Sequence, residues 1–168
     1  MTISVVGLNH KSANIDIRGK FSFTPDSASL LLRRIKKLND ISEVIVVSTC
    51  NRTEIYCESS NGVDDIRNWL LSDKDYKPFA KHLYMHQEED AIEHLFKVVA
   101  GLDSMVIGES EVLGQVKTAY KIALDNKSID GKLKRLFEYS FSVAKNVRTN
   151  TDIGGNAISF MYTSILLI

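Results

Sequence analysis

Cysteine is scarce in this chain: Cys50 and Cys57 are the only two in 168 residues. That is too few for a disulfide framework, so reduced thiols and a cytoplasmic address are expected. Net charge is absent, because 21 basic residues balance 21 acidic ones. A general nucleic-acid or acidic-membrane binder carries an excess of one sign, although a balanced chain still has room for a local basic patch. No stretch is long and apolar enough to span a bilayer. Met1-Thr2-Ile3-Ser4 lacks the basic start of a signal peptide, so no membrane partner is expected. There is no Gly-x-Gly-x-x-Gly, P-loop, Cys-x-x-Cys or internal repeat, so no cofactor-binding residue and no metal ligand set is assigned within these residues.

What is present is an ordinary globular balance, 44% hydrophobic and 25% charged, in a length that suits one domain or one domain and part of another. The chain is organised around residues 43–58. Val44 to Val47 form an apolar, β-branched run that favours a buried strand. It breaks into Ser48-Thr49-Cys50-Asn51-Arg52, and a second strand follows, with Thr53, Ile55 and Cys57 alternating against Glu54 and Tyr56. Strand, polar turn, strand predicts a hairpin. At its tip a thiol lies beside an arginine. A nearby cation or backbone N–H groups stabilise a thiolate, and a guanidinium can hold a carboxylate in two hydrogen bonds. The competing reading is structural, since a cysteine after a valine run is usually a small buried hydrophobe.

Elsewhere, Ile3 to Leu8 reads as a strand. Thr24-Pro25-Asp26 reads as a helix start with a stripe of Leu30, Leu31, Ile35 and Leu38. The cluster Arg33, Arg34, Lys36 and Lys37 reads as a solvated face. Val63 to Leu71 predicts a helix, Ser72 to Lys77 a loop, and His82 to His86 an edge strand with both histidines at the surface. Glu88, Glu89 and Asp90 open a helix with Ile92, Leu95, Phe96 and Val99 inward, ended by Gly101. His94 has Ala91, Val98 and Gly101 as its helical neighbours, so it is either a hydrogen-bonded core histidine or an imidazole lining a cleft. A helix from Glu109-Ser110-Glu111 to about Asn126 turns Val112, Val116, Ala119 and Ala123 inward, with Gln115 on the flank. A last helix, Gly131 to about Thr149, buries Leu133, Leu136, Phe137, Ser140, Ala144 and Val147, and Gly154-Gly155 breaks it. Ser159 to Ile168 is strongly apolar, which suggests a continuation beyond it.

Three colinear segments resemble the glutamyl-tRNA reductases of tetrapyrrole biosynthesis. They are Val6-Gly7-Leu8-Asn9-His10-Lys11-Ser12-Ala13, then Ser48-Thr49-Cys50-Asn51-Arg52-Thr53-Glu54-Ile55-Tyr56, then His94-Leu95-Phe96-Lys97 through Gly101-Leu102-Asp103-Ser104 and Gly108-Glu109 to Leu113-Gly114-Gln115-Val116-Lys117. The resemblance implies an α+β fold: a ferredoxin-like antiparallel sheet layer, a helical subdomain and the start of a long connecting helix. Residues 1–150 would be the N-terminal catalytic domain and 151–168 the start of a linker or NADPH-binding domain.

Carried onto this chain, the resemblance implies Cys50 as nucleophile and His94 as an activity-linked histidine. It places substrate contacts at Thr49, Asn51, Arg52, Ser104, Glu109, Ser110, Glu111 and Gln115. The family's usual Glu-Pro-Gln is Glu109-Ser110-Glu111 here, and its Ala-Pro is Ala13-Asn14. Cys57 matches no catalytic position and reads as packing. The implied reaction is NADPH-dependent reduction of glutamyl-tRNA to glutamate 1-semialdehyde through a cysteine thioester, with NADPH held outside this chain. The implied partners are glutamyl-tRNA, a second copy in the full-length protein and glutamate-1-semialdehyde aminomutase. A cysteine hydrolase would use the same thiol without a reduced cofactor. A non-catalytic ferredoxin-like binding domain would need no reactive thiol at all.

Overall fold

The computed structural model describes residues 1–154. The elements follow in the order β1 (Thr2–Asn9), α1 (Ile15–Lys20), α2 (Pro25–Ile35), β2 (Ile41–Ser48), β3 (Arg52–Ser59), α3 (Val63–Ser72), a 3₁₀ segment (Lys77–His82), β4 (Tyr84–Gln87), α4 (Glu88–Val99), α5 (Glu111–Asp125) and α6 (Lys132–Asn150). The four strands form one antiparallel sheet in the order β2-β3-β1-β4. With helical segments between β1 and β2 and between β3 and β4, this is the split βαβ arrangement of ferredoxin-like folds, and α4 to α6 add the helical part. The expected α+β class is what the chain adopts.

β3 is central and buried at all eight positions, so both faces of the sheet are covered. Here the structure departs from the alternating hairpin expected from sequence. Glu54 and Tyr56 are as buried as Ile55 and Cys57, each at 0% exposure. The reason is the helical layer. Phe137 of α6 packs edge-on against the Tyr56 ring, 5.3 Å between centroids, and His94 of α4 reaches the Glu54 carboxylate. Gly7 of β1 lies opposite Glu54. A Cβ there would meet the Thr53 carbonyl at 2.7 Å and the Glu54 side chain at 2.8 Å, so only glycine admits the close approach.

Other differences are local. Thr24 caps α2 as expected, but Leu30 is 60% exposed and the buried stripe is Ala28, Leu31, Leu32 and Ile35. α1 has no counterpart in the sequence reading, and Asn14 caps it through Ile17 N. In α4 the fully buried positions are Ala91, Leu95, Val98 and Val99, while Ile92 and Phe96 are half-buried. The cluster Arg33, Arg34, Lys36 and Lys37 at the end of α2 is exposed, as expected of a solvated face, and three of its four side chains also make contacts. Arg34 pairs with Asp73 and lies 5.2 Å from the Trp69 ring, Arg33 donates to Asn126, and Lys36 donates to the Ser42 carbonyl at 2.6 Å. His82 and His86 are half-buried, not at the surface: His82 Nδ1 is 3.1 Å from the Ser12 carbonyl.

α5 buries Val112, Val116, Ala119 and Ala123, as its stripe predicts. α6 buries Leu133, Phe137, Ser140 and Ala144 and ends at Asn150, before the glycine pair. Its start is fixed from the sheet. The Glu43 carboxylate accepts the backbone N–H groups of Asp130, Gly131 and Leu133 at 2.6–2.7 Å, satisfying the open amides of a helix that has no capping side chain of its own. The apolar run Ser159 to Ile168 lies outside the described residues. Among the described residues no helix is long and apolar enough to cross a membrane.

Candidate active site

The hairpin between β2 and β3 is closed by Thr49. Its N–H donates to the Arg52 carbonyl at 2.8 Å, and its Oγ1 accepts the N–H groups of Asn51 and Arg52 at 3.2 and 3.1 Å. Cys50 and Asn51 are therefore held at the tip. The Asn51 carbonyl accepts the His10 N–H at 3.0 Å, and the Cys50 carbonyl accepts Arg18 Nε of α1 at 3.3 Å. The residue after β1 and helix α1, both distant in sequence, thus fix the loop, while the Cys50 residue itself stays exposed.

Beside the thiol is a small cavity of about 140 Å³ whose lining includes Thr49, Cys50, Asn51, Arg52, Ser104, Glu109, Glu111 and Gln115. These are all the residues singled out from sequence except Ser110 and His94. Ser110 is exposed and occupies the N-cap position of α5. The cavity is well below the roughly 300–1,000 Å³ of small-molecule sites, a space for an amino-acid-sized group. Two of its polar groups are open. Ser104 Oγ is buried and finds no hydrogen-bond partner among the described residues. Glu109 is buried, and among the described residues no cation or donor meets its carboxylate.

The electrostatics differ from the simple thiol–arginine pair suggested by the sequence. Burial pushes the Cys50 thiol above its ordinary 9.0, and Glu109 and Glu111 push it the same way, with Arg18 as the opposing cation. Arg52 is engaged elsewhere. Its side chain is 1% exposed; Nη1 donates to Glu54 Oε1 at 2.7 Å and Nη2 to Asp103 Oδ2 at 3.0 Å and to the Asp103 carbonyl. Burial alone would make the guanidinium easier to discharge; the Glu54 carboxylate outweighs it and locks the charge in place.

Glu54, which sequence reasoning missed as a functional side chain, is the centre of this network. Its Oε1 accepts from Arg52, from Tyr84 and from His94 Nε2 at 2.7 Å, and its Oε2 accepts the Tyr56 hydroxyl at 2.7 Å. Burial raises its pKa, but the Arg52 charge and the His94 and Tyr84 hydrogen bonds outweigh that and hold it well below the usual carboxylate range. An ionised carboxylate only accepts, so His94 Nε2 carries the hydrogen. His94 is accordingly both things the sequence offered, a hydrogen-bonded histidine and a cleft lining. The cleft is a different one, about 180 Å³, bounded by Asn9, Lys11, Tyr84, His86, His94 and Asp103. It shares no lining residue with the thiol cavity, and Arg52, Glu54 and Asp103 stand between the two. The His86 ring stacks on His94 with centroids 5.0 Å apart; burial first, and then His94, lower the His86 pKa. Cys57 is fully buried, its thiol pushed up to about 12 by burial, which suits a packing role.

Residues 6–151 match the family profile described as Glutamyl-tRNAGlu reductase, N-terminal domain. The chain is 42% identical over 171 residues to the glutamyl-tRNA reductase of Aliivibrio fischeri, covering 99% of this chain and 41% of that protein. It is 43% identical over 167 residues to the one from Idiomarina loihiensis, covering 98% and 40%. Among solved structures, the glutamyl-tRNA reductase from Methanopyrus kandleri superposes with a TM-score of 0.77 at 28% identity, over 98% of this chain and 39% of that one. The chain thus spans about two fifths of the length of these relatives.

Proposed function

This chain belongs to the glutamyl-tRNA reductase family, in the region of its N-terminal domain, and from that membership we propose that Cys50 takes the glutamyl group of glutamyl-tRNA as a thioester in tetrapyrrole biosynthesis. The observation that carries the reading is the cavity at the hairpin tip. It gathers a thiol, a guanidinium, two carboxylates and four neutral hydrogen-bonding side chains around a space of amino-acid size.

The acylation step balances without a cofactor. Cys50 Sγ attacks the ester carbonyl, a C–S bond forms and the ester C–O bond breaks, and the ribose hydroxyl leaves with a proton. The glutamyl group carries an α-ammonium and a side-chain carboxylate. Glu109, buried and without a cation among the described residues, takes the ammonium with Glu111 alongside. Burial first, and then those two carboxylates, raise the thiol pKa, so pairing the carboxylates with the substrate's ammonium removes their part of that shift at the moment of binding. Arg52 takes the side-chain carboxylate by exchanging its part-exposed Asp103 contact while keeping Glu54, whose side chain is 0% exposed. Thr49, Asn51, Ser104 and Gln115 supply hydrogen bonds around the acyl group. His94 acts through Glu54 and Arg52 as a positioning residue, since it lines the other cleft.

NADPH, when bound to a protein of this family, supplies the hydride that turns a thioester into an aldehyde. The described residues do not fit that cofactor, because they offer no glycine-rich phosphate loop and the thiol cavity is too small for a dinucleotide. That step is assigned to the NADPH-binding part of a longer protein, and 151–168 is read as the approach to it. The chain alone acylates itself and then loses the glutamyl group to water. Purified chain should therefore deacylate glutamyl-tRNA faster than buffer does, Cys50→Ser should not, and no aldehyde should form when NADPH is added. Deacylation by Cys50→Ser at the wild-type rate would refute the reading.

A further inference from the structure

A second cavity, about 430 Å³, runs between α5 and α6 and is lined by Leu113, Lys117, Phe141, Lys145, Arg148 and neighbouring small hydroxyls. In a chain with no net charge, its three ionisable lining residues are all cations. Lys117 and Lys145 are exposed, and neither pairs with a carboxylate among the described residues. Lys117 Nζ lies 5.7 Å from the centre of the Phe141 ring. Arg148 Nη2 donates to the Glu109 carbonyl at 2.6 Å, while its Nε is buried and finds no partner among the described residues. Glu138, one turn before Ser142 on α6, is occupied by the Tyr120 hydroxyl at 2.6 Å.

We propose that this groove seats the phosphates of the tRNA acceptor end while the aminoacyl group lies in the Cys50 cavity, an inference that rests on the function proposed above. Charge complementarity selects the occupant: lysines unpaired and an arginine donor open among the described residues, beside an aromatic wall, are what single-stranded nucleic acid uses for backbone and base. Position agrees. The first two turns of α5 separate the two cavities, with Glu111 and Gln115 on the thiol side and Leu113 and Lys117 on the groove side. Lys117 is six residues beyond Glu111, about 9 Å along the helix axis. Arg148 touches the backbone of Glu109, whose side chain faces the thiol. A strand ending at Cys50 therefore passes within reach of the groove.

The test is fluorescence anisotropy of an uncharged tRNA of glutamate identity, titrated with the wild-type chain and with Lys117→Ala/Lys145→Ala from 50 to 300 mM salt. Circular dichroism confirms that both fold. Loss of two phosphate contacts should weaken binding about 20-fold near 0.1 M salt and make the log–log salt slope shallower by about 1.4–1.8. Lys117→Arg/Lys145→Arg should restore both. Wild-type binding too weak to measure, or equal affinity and slope in the alanine variant, would overturn the proposal. So would NADPH binding by the wild type that the double substitution abolishes, since it assigns the groove to a nucleotide cofactor. Acylation of wild-type Cys50 by a glutamyl thioester carrying no RNA reads the thiol chemistry separately, so failure there would count against the acyl-enzyme and leave the anisotropy result to decide the groove.

Discussion

Replacing Glu54 by Gln probes the buried network directly. The carboxylate has no exposed surface and receives hydrogen bonds from Arg52, Tyr56, Tyr84 and His94. The amide leaves one oxygen to accept and turns an NH₂ toward groups that are themselves donors. Removing one partner of a buried ion pair costs about 3–5 kcal/mol, because the other charge stays behind. Asp103 still faces Arg52, so the lower end, about 3 kcal/mol, is expected at pH 7. The pH dependence has a definite sign. A folded-state pKa below the unfolded value near 4.5 stabilises the fold above that value, and the contribution is lost as pH falls toward the folded pKa. The gap between wild type and variant should therefore shrink as pH drops below about 4.5. Urea unfolding followed by fluorescence of Trp69, the only tryptophan, measures it. A gap under about 1 kcal/mol at pH 7, or one that fails to narrow between about pH 4.5 and 3, would refute the reasoning.

Three further outcomes follow from other contacts. Glu43→Ala removes the acceptor for three backbone N–H groups at the start of α6; a loss of about 2 kcal/mol, or about 4–8 °C in Tm, is expected by calorimetry, and an unchanged Tm would contradict the capping role. Gly7→Ala places a methyl against the Thr53 carbonyl and Glu54 and should cost at least about 2 kcal/mol by urea titration; a neutral substitution would mean that β1 and β3 separate easily. The alkylation rate of Cys50 should rise with a midpoint above the ordinary 9.0, Glu109→Gln should lower that midpoint, and Cys57 should react only on unfolding. A wild-type midpoint below about 8 would show the thiol to be activated without substrate.

Much of the site was legible because its residues cluster in two short segments, the turn after a valine run and the entry to α5. The resemblance marked Thr49, Cys50, Asn51, Arg52, Glu109 and Gln115 together, and the structure brings them around one cavity. The inner stripe of α5 was legible for the simpler reason that helical periodicity and burial coincide there. Glu54 was not, because an alternating strand reads as half-solvated until the helices that cover its second face are known. A signal was available: Arg52, Glu54 and Tyr56 stand at i, i+2 and i+4, so opposite charges and a phenol share one strand face. The capping of α6 by Glu43 had no local signal, since donor and acceptor lie 87–90 residues apart. His94 illustrates the limit of a motif. Resemblance linked it to activity, yet its Nε2 meets Glu54 and its cleft is not the one that holds Cys50.

The claim that Cys50 carries the glutamyl group is tested most directly by intact mass. Wild-type chain and Cys50→Ser are mixed with glutamyl-tRNA in the absence of NADPH, quenched rapidly in acid and weighed. A single glutamyl adduct on the wild type, absent from the serine variant and removed by hydroxylamine, is the predicted result. An adduct on both proteins, or none on the wild type while the substrate is consumed, would contradict it.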